Sequence, residues 1–154
     1  MNSKAVNFLS GGEELLPEVE DLWLKLKDFH IENFSTWSES LRGGNFTDRV
    51  SGLKESAQNG ALLVEIAQVE GLNIAFCISV IDKVGAGELA SLFVDQEHRQ
   101  QGIALRFVQR SLQWLKEHKA VPIYIDVMAG NVAALKLYEK EGFVQRVHRL
   151  EWVE

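Results

Sequence analysis

The 154-residue chain has one cysteine, no surplus of basic side chains and no run near the roughly 20 apolar residues that cross a bilayer. The lone Cys77 cannot close an internal disulfide. With 16 Lys and Arg against 22 Asp and Glu the net charge is −6. That balance argues against nonspecific binding to nucleic acid or to an anionic membrane, since both require a cationic face. His and Cys never pair at metal-ligand spacing, so no metal is expected, and a Walker-type Gly-Lys-Ser/Thr is absent. The N-terminal Met-Asn-Ser-Lys carries no apolar signal core, and a cytoplasmic protein is the expectation.

What remains is ordinary globular composition, 46% hydrophobic and 25% charged, in a length that suits one domain over residues 1–154. Function must therefore be sought in local motifs. Ala5 to Leu9 is expected as a short strand. Ser10-Gly11-Gly12 breaks it, and Glu13 and Glu14 place negative charge at the start of a helix. Val19, Leu22, Trp23, Leu26 and Phe29 recur at three and four, the helical period. Residues 31–44 are read as a loop with a short second helix, and a further helix is expected from Phe46 to Gln58.

After Gly60 the pattern changes. Ala61 to Val69 and Leu72 to Ile81 are β-rich runs joined by Glu70-Gly71, and Glu88 to Val94 is a third strand. Gly102 to His118 forms an amphipathic helix with Phe107, Leu112 and Leu115 on one side and Arg106, Arg110 and Lys116 on the other. Pro122 to Val127 is a strand, Asn131 caps a helix running to about Lys140, Gly142 ends it, and Phe143 to Val153 is expected as one strand or two. The order is β-α-α-β-β-β-α-β-α-β, a mixed α/β domain.

Gly85-Ala86-Gly87-Glu88-Leu89-Ala90 imitates a dinucleotide-binding fingerprint, but its glycines join two strands and open no helix, so it is a turn. Arg99-Gln100-Gln101-Gly102-Ile103-Ala104 is placed differently, between a strand and a long helix. There the first helical N–H groups have no partner and the helix dipole favours an anion such as a pyrophosphate. Alone, this hexapeptide equally suits an ordinary loop entering a helix. Likewise, Asn131-Val132-Ala133-Ala134-Leu135-Lys136-Leu137-Tyr138 through Gly142-Phe143 alone describes a capped helix with a core tyrosine.

In this order and roughly 30 residues apart, the two segments resemble the GCN5-related N-acetyltransferase (GNAT) superfamily. Arg99-x-x-Gly102-x-Ala104 is similar to its cofactor motif, with alanine where glycine is commoner, and the Asn131 to Phe143 segment resembles its second cofactor motif. The resemblance is specific over residues 88–143. It implies an α/β (α+β) fold with a mostly antiparallel sheet of six to seven strands flanked by about four helices. It further implies acetyl-CoA as cosubstrate, with pantetheine against Leu92, Phe93 and Val94. The pyrophosphate would lie on the amides of Gln100, Gln101, Gly102, Ile103, Ala104 and Leu105, with the Arg99 side chain nearby and Asn131 and Tyr138 completing the site.

Forming an amide from a thioester requires a neutral amine, a stabilised oxyanion and a protonated leaving thiolate. By the resemblance, an N–H near Phe93 or Val94 serves the oxyanion. A phenol suits the acid role, so Tyr138 is the candidate acid. Glu88 is the candidate base, direct or through water, because it stands where protein-acetylating members carry a glutamate. A solvated turn glutamate and a water chain without a single base remain alternatives. Cys77, amid Ile74, Ala75, Phe76 and Ile78, is read as a buried hydrophobe. Trp23, His30 and Trp37 fall in the first helical region, which in this superfamily often shapes the acceptor pocket; Trp23 is assigned to the core, His30 and Trp37 are read as structural before substrate-contacting, and His98 and Arg149 are assigned to the surface.

The expected activity is acetyl transfer to a primary amine of a small molecule or peptide in a ternary complex, the other reading being a noncatalytic CoA sensor. Residues 1–60 hold ten acidic and six basic side chains, which favours a cationic acceptor. An exposed C-terminal strand would suit a homodimer.

Overall fold

The computed structural model describes residues 3–154; Met1 and Asn2, part of the N-terminal stretch read for a signal core, lie outside the described residues. The chain runs β1 (Val6–Gly11), a 3-10 segment (Glu13–Val19), α1 (Glu20–Asn33), a 3-10 turn (Ser35–Trp37), α2 (Ser38–Arg42), α3 (Phe46–Ser56), β2 (Ala61–Val69), β3 (Leu72–Ile81), β4 (Gly87–Val94), a 3-10 turn (Gln96–His98), α4 (Ile103–Glu117), β5 (Ile123–Tyr124) and α5 (Val132–Lys140). Among the described residues the sheet has five strands in the order β1-β2-β3-β4-β5. The first three pairings are antiparallel and the last is parallel.

Each face of the sheet buries a separate apolar layer. One holds Ala75, Cys77, Leu89 and Val94 beneath Ile103, Phe107 and Val108 of α4 and Tyr138 of α5. The other holds Val64, Ile66, Phe76, Ile78 and Phe93 beneath Leu16 and Val19 of the 3-10 segment, Leu22 of α1 and Leu53 of α3. The alternation of a half-buried strand sends successive side chains to these two layers, so the helices before β2 cover one face and those after β4 cover the other.

Five expectations are corrected. Glu13 and Glu14 open a 3-10 segment containing Pro17, and the α-helix begins only at Glu20. The sheet has five strands rather than six to seven, and the helices number five rather than about four. The strand expected from Pro122 to Val127 is hydrogen-bonded only at Ile123–Tyr124, because β4 pairs with it at Gly87 and Glu88 and no further. Phe143 to Val153 has strand composition but no ladder partner; from Val144 onward it is exposed and carries no strand. Turn signals placed β2 and β3 at their observed bounds, since Glu70 (φ 50°) and Gly71 (φ 80°) both take the left-handed conformation that a tight hairpin requires.

Candidate active site

Where β4 leaves β5, the sheet opens. The two pair at Gly87↔Ile123 and Glu88↔Tyr124, and from Leu89 to Val94 that edge of β4 faces no strand. On its other edge β4 stays in register with β3, apart from one bulge: Ile78 opposes Ser91 and Ser79 opposes Leu89, leaving Ala90 as the extra residue. Gly87 anchors the closed end, because a Cβ there would stand 2.7 Å from Leu115 and 2.8 Å from Ala120.

Beyond the open edge, the chain turns into α4 through Gln100 (φ 59°) and Gly102 (φ 79°). No side chain caps the helix, and its first turn has no acidic residue. A Cβ on Gly102 would meet nothing within 4 Å, so the approach to this turn is open. Left-handed residues ahead of an uncapped helix make a cradle of N–H donors for an anion. The residues present therefore fit the diphosphate of a CoA, and the open β4 edge fits an amide-bearing arm.

The Arg99 side chain is engaged elsewhere. Its Nε donates to the Val94 carbonyl at 2.9 Å, and its guanidinium lies 5.0 Å from the Phe29 ring centre and 5.5 Å from that of Phe93. It thus joins α1 to the end of β4, and its contribution to the loop is to hold that end in place.

Tyr138 is 7% exposed and shares an apolar layer with Val94 and Ile103, against which Leu92 and Ala104 also pack. Its position is fixed from the backbone. Phe143 N–H donates to the Tyr138 carbonyl and Gly142 N–H to that of Glu139, with Gly142 at φ 99°, while Asn131 Oδ1 accepts from Ala134 N–H at 3.2 Å. Burial, and secondarily the neighbouring Cys77, raises the Tyr138 phenol well above its ordinary value, so it stays protonated.

Glu88 lies on the opposite face, half-buried, in a cleft of about 520 Å³ lined also by Glu55, Asn59, Val80, Asp82 and Tyr124. Burial raises its carboxyl; the Arg49 cation opposes that shift and Asp126 adds to it. The Tyr124 hydroxyl is 3.4 Å from Glu88 Oε2. A carboxylate so placed is a better proton acceptor than a solvated one. Arg49, from α3, donates through Nη2 to the Ala90 carbonyl at 2.8 Å and to Ser91 Oγ at 2.9 Å. Sequence reading missed Arg49, whose partners stand 41 and 42 positions away and leave no local trace.

Of the remaining residues, Cys77 is 1% exposed with its thiol pushed up to about 12, chiefly by burial. Trp23 packs in the core against Phe46, and His30 lies among Phe29 and Phe34. Trp37 is half-buried in the 3-10 turn before α2. His98 is partly buried with Nδ1 unpartnered among the described residues, which corrects its reading as a surface residue, whereas Arg149 is exposed. No helix among the described residues is long and apolar enough to cross a membrane, and they contain no cluster of metal-ligating side chains.

Known proteins resemble this chain in sequence or in fold. A [Ribosomal protein bS18]-alanine N-acetyltransferase of Salmonella typhimurium is 28% identical over 107 residues, 70% of this chain and 64% of that protein. The protein named uncharacterized N-acetyltransferase YobR, from Bacillus subtilis, is 36% identical over 74 residues, 48% of this chain and 29% of its own length. The matched parts thus fall short of two thirds of either relative. The aminoglycoside N-acetyltransferase AAC(6')-Iy solved with CoA superposes with a TM-score of 0.66 at 16% identity, covering 99% of this chain and 97% of that one. The BH1408 protein of Bacillus halodurans, solved as a tetramutant, gives 0.74 at 17% identity over 96% and 99%. At those identities the likeness is one of fold. The acetyltransferase (GNAT) family model matches residues 21–143, most of the chain, and with the split sheet and the cradle ahead of α4 this places the protein in the GNAT acetyltransferase family.

Proposed function

We propose that the protein, acting as a single domain over residues 1–154, transfers an acetyl group from acetyl-CoA to a primary amine of a small molecule or peptide within a ternary complex. The observation that carries this reading is the opening of the sheet beside β4, with an uncapped helix start at one end and Glu88 and Tyr138 on opposite faces of the strand. A nucleophile and a leaving group must flank the reacting carbonyl, and this arrangement gives each its own side. The relative named for an alanine of ribosomal protein bS18 supports an amine acceptor.

Bound acetyl-CoA supplies an acyl group activated as a thioester. Leu92, Phe93 and Val94 receive the pantetheine arm along the open edge, the amides from Gln100 to Leu105 with Asn131 hold the diphosphate region, and Arg99 fixes the strand end. Glu88 accepts a proton from the amine, directly or through a water, as the nitrogen forms its bond to the carbonyl carbon. An N–H near Phe93 or Val94 takes the charge on the carbonyl oxygen. When the carbon–sulfur bond breaks, Tyr138 donates its proton to the thiolate. The carboxylates around the cleft favour a cationic acceptor. A reducing cytoplasm suits a thioester reaction in a protein with a free core thiol, and we place it there.

A noncatalytic CoA-binding sensor is the second reading, favoured by the same cradle and disfavoured by the buried, protonated Tyr138 beside it. Calorimetric titration with acetyl-CoA, then thiol release across a panel of amines, separates the two. Binding with turnover is expected; binding without turnover on any amine supports the sensor, and absence of binding removes both. We also propose a homodimer through the C-terminal segment, where Val144, Val147, Leu150 and Trp152 are 77–93% exposed. Light scattering should give twice the chain mass, and the chain ended at Phe143 the single mass.

A further inference from the structure

Arg49 is the half-buried cation on the acceptor side of β4, and the reaction as written gives it no role. It reaches from α3 across to the strand, where one nitrogen, Nη2, donates both to the Ala90 carbonyl (2.8 Å) and to the Ser91 hydroxyl (2.9 Å). Ala90 is the extra residue of the β4 bulge, and a bulge leaves its backbone groups outside the ladder. Arg49 therefore satisfies a carbonyl that the β3–β4 register leaves free. The same side chain is the positive charge set against Glu88, two residues before the bulge.

We propose that Arg49 is the positioning residue of the acceptor site: through Ala90 and Ser91 it pins the β4 bulge, and with it the stretch of strand that carries Glu88 at the closed end of the split. This rests on the acetyltransferase reading for its catalytic meaning, though not for its measurement. A bulge bends its strand, so the contact that fixes Ala90 also fixes the direction in which Leu92, Phe93 and Val94 leave the sheet. Other groups around Glu88 cannot substitute for Arg49. Tyr124 of β5 offers one long hydrogen bond, Asp126 beyond β5 repels, and Glu55 and Asp82 add like charge to the cleft. Among the described residues the one cation that lines the cleft is Lys83, on an exposed turn between β3 and β4. Charge and fork geometry are separable at this position, since lysine keeps the first and glutamine keeps a donor without it.

The test uses the unliganded full chain. The Glu88 carboxyl is titrated by carbon-detected NMR, and hydrogen exchange of the peptide spanning β4 is followed by mass spectrometry, in wild type, Arg49→Lys, Arg49→Gln and Arg49→Met. Removing an opposite charge raises a carboxyl midpoint, here by about one pH unit in Arg49→Gln and Arg49→Met, while Arg49→Lys stays near wild type. Losing a charge-assisted bond to the bulge should speed β4 exchange roughly tenfold in Arg49→Met. With any accepted amine, the acid limb of the kcat profile should move upward with the Glu88 midpoint. A Glu88 midpoint unchanged in Arg49→Gln, or wild-type β4 exchange in Arg49→Met, overturns the assignment. Because neither readout needs turnover, a chain that acetylates nothing removes the acetyltransferase reading and still leaves Arg49 to be judged.

Discussion

The two edges of β4 are built from one run of residues and behave differently. Toward β3 the strand is paired from Gly87 to Val94; toward β5 the pairing ends at Glu88. The closed edge is core: Phe76, Cys77 and Ile78 opposite it are all 1% exposed or less. The open edge carries the proposed chemistry, with the acid on one face and the base on the other. The difference teaches that stability and activity are divided across the width of one strand, so a substitution's effect should depend on which edge it touches.

The strongest test of that division is on the closed edge. Phe76→Ala, at a fully buried ring paired with Phe93, should cost about 3–5 kcal/mol in urea unfolding. Acetyl-CoA affinity of the folded fraction should be kept, and a Kd that rose in proportion would break the comparison. On the open edge, Gly102→Val forces a β-branched residue into φ 79° and places methyls in the open approach to the cradle. Calorimetry should show affinity for acetyl-CoA lowered about 100-fold. Equal affinities would show that the cradle does not hold the diphosphate.

Tyr138→Phe keeps the ring and its contact with Phe143, centroids 5.9 Å apart, and removes only the hydroxyl. We expect kcat to fall about 100-fold with CoA binding nearly unchanged. Because burial raises the phenol above its ordinary value of 10, the wild-type profile should show no alkaline limb from this group below that pH. Wild-type turnover in the variant would move the acid role away from Tyr138.

The smallest effect concerns pH and returns to the closed edge. Cys77 has its thiol pushed from 9 to about 12 in the fold. Across that window the unfolded chain has released the proton and the folded chain has not, so the unfolded state binds fewer protons and stability falls as pH rises. The slope is at most about 1.4 kcal/mol per pH unit from this group. Cys77→Ala should flatten the loss between pH 9 and 10 while leaving acetyl-CoA affinity in place.

These two edges were unequally legible in the sequence. The closed edge announced itself, because apolar runs bounded by Glu70-Gly71 and Gly85 carry their own period and turn chemistry. The same holds for α4 with its apolar stripe and for α5 between Asn131 and Gly142. The residues proposed to hold the cofactor were picked out through motif order. What escaped were features made by distant pairing. The bulge at Ala90 exists only in the register with β3, and Arg49 has meaning only once α3 lies over it. The early end of β5 and the unpaired segment after Phe143 belong to the same class, since β-rich composition states a preference for strand but does not supply a neighbour.

The unpaired edge of β4 also has a consequence for the amount of protein that survives in a cell. A ligand that binds only the folded chain adds its mass-action term to the folding equilibrium, about 2.7 kcal/mol at a concentration 100 times its Kd. An arm lying along residues 89–94 would complete a sheet the chain leaves incomplete, so the supply of acetyl-CoA would set both the rate of the reaction and the lifetime of the enzyme that performs it.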